Sequence, residues 1–455
     1  MTEMLERPSL LPAFRTINRA RCFLHIIKLT VKALLRQFDP TKKEDQTDVD
    51  LSTEELELLS LEEGIEEEEL ATAREADDDK TPEDDELGDW VDEVEALTAE
   101  ERANLHLEIL PVRRVLVKLR KLAFKIIHST TILLPAWKSC LAKLKLSIRI
   151  MPRDVRTRWN STYDMLSFAI EYKDVIVALT SDAKNDLWKF ELSVAEWEIA
   201  MKLASTLKAL KDATLYFSRR TPNLPYVIPV MDTIDTLFTN ALKPTENGLA
   251  MRAAIKLAKA TLNRYYSKTD QSDVYRIAMV LHPCHKLHYF EQAGWKEDWI
   301  TTARLLVREE FESSYANRTT DDSKNGEADA NSSESDMEMV PPAAKDKTSK
   351  TASQNMFDDL FAITPSASKP RVDELALYLS TEPENVSDAL KWWHEKRLTY
   401  PRLSRMALDY LSIPGLWSLM GMVRDEDVTA VGQLDEVDGQ IELEELVRRL
   451  EPKIY

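Results

Sequence analysis

The sequence predicts a mainly α protein, and three observations predict it. Apolar residues recur at three- and four-residue steps in one stretch after another, the spacing that lines up side chains along one face of a helix. Very little of the chain reads as strand. The 455 residues include only 9 glycines, and the closest two, Gly415 and Gly421, are too far apart to build a glycine-rich phosphate loop. That excludes the P-loop and Rossmann α/β classes.

Taken in order, residues 18–38 (NRARCFLHIIKLTVKALLRQF) form a first amphipathic helix with Cys22, His25, Ile26, Leu29 and Ala33 on one stripe. Residues 40–101 are acidic and poor in aromatics, and are expected to be disordered with at most a transient helix. A helix resumes at Pro111. Val112, Val115, Leu119, Leu122 and Ile126 share one side of it, and Arg114, Lys118, Lys121 and Lys125 line the other. A short extended piece near 148–156 leads into a helix after Trp159. There Ser161 and Asp164 have capping-box spacing, with Asp in place of Glu or Gln, and Met165, Phe168, Ala169, Tyr172 and Ile176 follow at helical steps. Further helices are expected at 193–217 and 246–267, and YRIAMVLHPCHKL reads as a short strand or a helix end. Residues 317–370, rich in Ser, Asp, Lys and Pro, read as a linker. A second folded unit follows, with helices in RVDELALYLS, DALKWWHEKRL and YPRLSRMALDYLSI. The resulting division is 1–39, 40–110, 111–316, 317–370, 371–430 and an acidic tail, 431–455.

The formal net charge of −19 hides an asymmetry. Residues 44–101 hold 27 Asp and Glu against only Arg74 and Lys80, whereas residues 111–158 hold 13 Lys and Arg against only Asp154. A solvated helix face mixes both signs, so this separation points to a polyanion-binding segment, or to an acidic segment that folds over the basic one and neutralises it. Cys22, Cys140 and Cys284 lack paired spacing, which fits a reducing compartment rather than a disulfide framework. MTEMLERPSLLP does not have the make-up of a signal peptide, and the most apolar segment, IIHSTTILLPAW, is too short and interrupted to span a membrane.

Arg158 and Trp159 stand at the expected start of a helix, where free N–H groups and the dipole favour an anion. The other constellations have structural readings. His282, Cys284, His285 and His288 imitate a metal cluster, but Pro283 interrupts them and a packed loop is expected. Cys22 and His25 are expected as core residues, and Asp232 and Asp235 as a solvated helix face. Trp392 and Trp393, being adjacent, are expected to point to different sides of their helix and to serve core or dimer packing. No metal-binding or cofactor-binding set emerges.

At this point a family resemblance becomes visible. DVRTRWNSTYDML, followed by FELSVAEWEIAMKLASTLKALKDATLYFS and VYRIAMVLHPCHKLHYF, resembles the central region of hAT-superfamily DNA transposases. DELALYLSTEPENVSDALKWWHEKRLTYPRLSRMALDYLSIP is similar to their C-terminal dimerisation segment, and CFLHIIKL to the Cys-x-x-His helix of their RNase H-like domain. The resemblance covers roughly residues 18–430. It implies an incomplete RNase H-like (α/β) core remnant with a large helical insertion and a C-terminal helical dimerisation segment.

In that family three carboxylates hold a divalent metal such as Mg²⁺ that activates water for phosphodiester cleavage, and the Arg-Trp pair lies near the DNA being cut. This sequence departs from the pattern. The 21 residues before Cys22 contain no Asp, and Ile413-Pro414 runs directly into Gly415-Leu416-Trp417, where the family's third acid segment would lie. The expectation is therefore a non-catalytic, transposase-derived nuclear protein that needs no metal. It would bind DNA weakly through Arg158, Trp159, Arg114, Lys118, Lys121 and Lys125, and dimerise through Leu390, Trp392, Trp393, Tyr400, Leu403 and Tyr410. The alternatives are an active transposase, should the acids be restored, and a scaffold whose acidic segment binds basic proteins.

Overall fold

The computed structural model describes residues 21–39, 52–75, 91–155, 158–218, 224–316 and 373–413. Among these residues there is no strand, and two compact units separate: one comprises residues up to Arg276 together with Ile413, the other Ile277–Ser412. The mainly α expectation holds. The α/β part of an RNase H-like core is not found among the described residues, and YRIAMVLHPCHKL forms a helix followed by turns rather than a strand.

The first unit is built around one long helix. Helix α1 is Phe23–Leu35, continued by a single tight turn, Arg36–Phe38. Helices α2 (Thr53–Glu62) and α3 (Ile65–Glu75) follow, with Gly64 between them at φ 74°, a conformation that costs glycine little. Helix α4 (Ala99–His128) then runs for 30 residues. Beyond it come α5 (Leu133–Lys143), α6 (Trp159–Glu171), α7 (Lys173–Thr180), α8 (Val194–Phe217), α9 (Val227–Ala241) and α10 (Leu249–Asp270). Helix α4 packs against α2, α3, α5, α8 and α10, and α10 also lies against α1. Val112, Val115, Leu116, Val117, Leu119 and Leu122 are all buried on α4, so it is an interior helix with apolar contacts on most of its circumference.

Two expectations about this unit are corrected. The acidic stretch 40–110, expected to be disordered, contains α2, α3 and the first turns of α4. A capping box at Ser52–Glu55 starts α2, and Leu58 and Ile65 bury against Leu110 and Val117, which is enough apolar contact to hold an otherwise charged pair of helices. Helix α4 starts at a second capping box, Thr98–Glu101, and runs through Pro111 instead of beginning there. Burial of Leu105, Ile109, Leu110 and Val112 on either side outweighs the roughly 3 kcal/mol that an interior proline costs.

In the second unit, helices α12 (His288–Gln292), α13 (Glu297–Glu310), α14 (Glu374–Ser380), α15 (Ala389–Glu395) and α16 (Leu403–Leu411) follow α11 (Asp273–Leu281), whose residues from Ile277 belong to this unit. Tyr378 lies at its centre. Its ring centroid is 4.8 Å from that of Trp393, 6.1 Å from Trp392 and 6.0 Å from Tyr400. The two adjacent indoles do not diverge as expected: they meet edge to face at 4.9 Å, and both turn toward Tyr378. Trp393 donates to the Leu281 carbonyl at 2.8 Å and Trp392 to Glu384 at 2.8 Å, so each indole N–H is satisfied. Lys286 donates to the carbonyls of Tyr378, Thr381 and Glu382, pinning the end of α14. The Glu374 carboxylate accepts from the Arg402 side chain and from the backbone N–H groups of Arg402 and Leu403, which caps α16.

Candidate nucleic-acid interface

Four of the six residues expected to meet DNA lie on α4, and each is already engaged within the chain. Lys121 is buried and donates to the Glu63 carbonyl and to Glu68 at 3.1 Å. Arg114 is 3.9 Å from Glu57 and reaches the Glu54 carbonyl. Lys118 bonds Glu196 at 2.7 Å and the Glu191 carbonyl at 2.8 Å, and Lys125 sits over the Phe190 ring. This corrects the expectation of a free basic face. A helix buried on several sides can carry cations only where acids meet them, because an unpaired buried charge is too costly. Two further cations complete the set. Arg113, buried, forms a bidentate pair with Glu62 at 2.5 and 2.6 Å, and Arg120 bonds Asp154 at 2.8 Å. Burial alone would lower the affinity of Arg120 for its proton, but Asp154, Glu69 and Asp39 around it raise its pKa above the ordinary value.

The Arg158–Trp159 pair is placed differently. Arg158 is the N-cap residue of α6 and is exposed, while Trp159 is the first helical residue and half-buried. The expected Ser161–Asp164 capping box does not form. Asp164 instead accepts from Lys211, and Ser161 faces backward across the loop, accepting from the Val155 N–H at 2.7 Å and donating to Asp154 at 2.8 Å. Thr162 also donates to Asp154, at 2.9 Å. Asp154, held by Arg120 on α4, therefore ties the first turn of α6 to α4 through Ser161 and Thr162.

The exposed cations are ones that the helical reading passed over. Lys138 and all of residues 142–150 are exposed, including Lys143, Lys145 and Arg149. Arg149 lies 5.4 Å from the Phe168 ring centroid and 3.5 Å from Glu171, its carbonyl accepts from Trp137 at 2.9 Å, and Ser147 bonds Tyr172 at 2.8 Å. These contacts tie the segment to α5 and α6 and place Lys143, Lys145 and Arg149 in one corner. Leu144, Leu146, Ile148 and Ile150 alternate with them, and Ile148 is 68% exposed. That alternation of Leu or Ile with Lys or Arg was the signal in the sequence.

The expected dimerisation residues divide into two sets. Trp392, Trp393, Tyr400 and Leu403 are buried inside the second unit and close its core. Leu390 and Tyr410 are half-buried, and Leu398, at 90% exposure, is the most exposed large apolar side chain among the described residues. His282 and His285 form the packed turn that was expected. Their rings are 4.8 Å apart, Cys284 accepts from the Val386 N–H, and burial lowers the pKa of His285 to about 4. Among the described residues no group of three or more His, Cys, Asp or Glu could hold a metal ion. Asp232 accepts from Tyr266 and Asp235 from Lys259, so both are paired and not merely solvated. Cys22 and His25 are half-buried at the start of α1. No described helix is long and apolar enough to cross a membrane.

Residues 108–206, from within α4 to within α8, match the family model of the ZBED1 RNase-like helical domain, and residues 374–416 match the hAT family C-terminal dimerisation region. Over these two segments the chain is similar to hAT-type proteins. It is 29% identical over 283 residues to the zinc finger BED domain-containing protein DAYSLEEPER of Arabidopsis thaliana, covering 59% of this chain and 36% of that protein. It is 25% identical over 282 residues to RICESLEEPER 3 of Oryza sativa, covering 59% and 34%, and 25% identical over 289 residues to the putative AC transposase of Zea mays, covering 57% and 31%. The chain spans about a third of the length of these relatives.

Proposed function

We propose that this hAT-related chain is a non-catalytic, nucleic-acid-binding and dimerising protein of the nucleus. The observation that carries the nucleic-acid reading is the exposed segment 142–150 between α5 and the C-terminal end of α6, which holds Lys143, Lys145 and Arg149, with Arg158 and Trp159 at the other end of α6. Cations of this kind neutralise phosphates without reading sequence, so binding is weak, general and sensitive to salt. A half-buried indole beside Arg158 offers a stacking face for a base that leaves the duplex. Replacing Lys145 and Arg149 by Glu tests the surface: duplex affinity should fall and the log–log salt slope should flatten by about 2, at ~0.9 per phosphate contact. Unchanged titrations would remove this corner from the interface.

Dimerisation is supported by the match over 374–416 together with the exposed Leu398 and the half-buried Leu390 and Tyr410. Since the large aromatics are internal, the second copy meets these outward side chains. Leu398→Asp should shift sedimentation toward monomer while leaving helix content intact. A wild-type chain that is monomeric at high micromolar concentration would end this reading.

A further inference from the structure

The two acidic helices of the first unit are matched to α4 in charge. Ten Glu and one Arg lie between Ser52 and Glu75. Glu62 grips Arg113, Glu57 approaches Arg114, and Glu68 and the Glu63 carbonyl take Lys121. Glu69 stands 3.9 Å from Arg120, and Glu55 bonds His106 at 3.2 Å. The apolar anchor beneath these pairs is small: Leu58 and Ile65, with Leu61 beside them, against Leu110 and Val117. Helix α4 is the helix that both α2 and α3 pack against. An acidic element whose docking rests mainly on ion pairs to one row of cations can be replaced by another polyanion, because phosphates satisfy Arg and Lys with the same charge-assisted hydrogen bonds.

We propose that the α4 face bearing Arg113, Arg114 and Lys121 is a second polyanion-binding surface, and that α2 and α3 occupy it as an internal competitor which duplex DNA displaces. This rests on the nucleic-acid reading above and extends it. The exposed corner makes first contact with DNA, and the covered face adds phosphate contacts once α2 and α3 have moved aside. The device holds general affinity low until the local concentration of polyanion is high.

Hydrogen exchange on the wild-type full chain tests the displacement. Saturating 30-base-pair duplex should raise exchange several-fold at the amides of α2 and α3 while leaving α8 unchanged. A variant carrying Glu57→Gln, Glu62→Gln and Glu68→Gln should bind the duplex at least ten-fold more tightly. Its log–log salt slope should be steeper by about 2 to 3, as three newly available cations require at ~0.9 each. Duplex that binds with no change in exchange at α2 and α3 overturns the proposal, and so does a folded triple variant that binds no more tightly. If the variant does not fold, the exchange measurement on the wild type decides alone. Duplex binding that is lost in the Lys145→Glu, Arg149→Glu chain, while in the wild type α2 and α3 exchange no faster with duplex than without it, defeats this inference and leaves the nucleic-acid reading standing. No binding by either the wild type or the variant at low salt defeats both. Opening of α2 and α3 by polylysine but not by DNA also overturns the proposal, in favour of a basic-protein partner for the acidic helices.

Discussion

Two regions of the molecule cover a helix face by opposite chemistry. In the first unit α2 and α3 cover α4 with Glu62–Arg113, Glu68–Lys121 and Glu57–Arg114 over a few aliphatic side chains. In the second unit Trp392, Trp393 and Tyr400 cover Tyr378 with rings, and the two indole N–H groups are satisfied within the unit. Water, salt and other polyanions compete for the ion pairs, because charged partners are interchangeable and screened. An indole in a fitted apolar pocket has no such competitor. The charge-held contact is therefore suited to exchange, and the ring-held contact to permanence.

The largest expected effect comes from breaking the permanent contact. Trp393→Ala empties a fully buried site and should destabilise the second unit by about 3–5 kcal/mol, read as a lower urea midpoint. A variant that loses only self-association would show that the ring cluster serves a partner after all.

Acid should act on the same unit with somewhat smaller effect. Unfolded imidazoles take up protons near pH 6.5, whereas burial keeps His285 from doing so until about 4, and burial together with the neighbouring His285 depresses His282 too. Between those values the unfolded state binds more protons, so stability falls as pH falls, by about 3 kcal/mol for a shift of this size. Urea midpoints between pH 7 and 4 that track α8 and α15 separately would test it; an equal response in both units would sink it.

Smaller again is Glu62→Ala. Removing one partner of a buried pair ordinarily costs about 3–5 kcal/mol. Here the loss in global stability should stay under about 2, because α2 and α3 can detach and return Arg113 to water. A loss as large as that of Trp393→Ala would mean that the two coverings are equally permanent. The smallest effect is expected from Ser52→Ala, which removes the α2 cap for about 1 kcal/mol. It should show as faster exchange in α2 with no change in the second unit.

Helices with a clear apolar stripe and ordinary charge, such as α1, α8 and α10, were legible in the sequence because their periodicity reports their burial directly. Helices α2 and α3 were hidden by their charge. The signal was present in Ser52-Thr-Glu-Glu55 and in Leu58, Leu61 and Ile65 at three- and four-residue steps, but ten glutamates argued for disorder. The true start of α4 was masked by Pro111, which resembles a first-turn proline, while the capping residues Thr98 and Glu101 lay well upstream. Of the candidate site, the row of cations on α4 was legible but their acidic partners were not. Periodicity shows which cations share a helix face, but not whether a distant acidic segment arrives to cover them. Arg158 and Trp159 were placed at a helix start correctly, while the role of Asp154 in tying the first turn of α6 to α4 needed the fold, because Arg120 reaches it from another helix.

Arg120 also bears on the order in which the first unit assembles. Its guanidinium lies within 4.0 Å of carboxylates on Asp39, Glu69 and Asp154, two from segments that precede α4 and one from a segment that follows it. None of these contacts is local, so each requires a loop to close before it contributes anything, and the entropy of those closures falls early in folding. The loop to Asp154 spans 34 residues, shorter than those that bring α4 onto α8 and α10, so the Arg120–Asp154 pair can close before them. Substituting Asp154 should then slow refolding more than it accelerates unfolding.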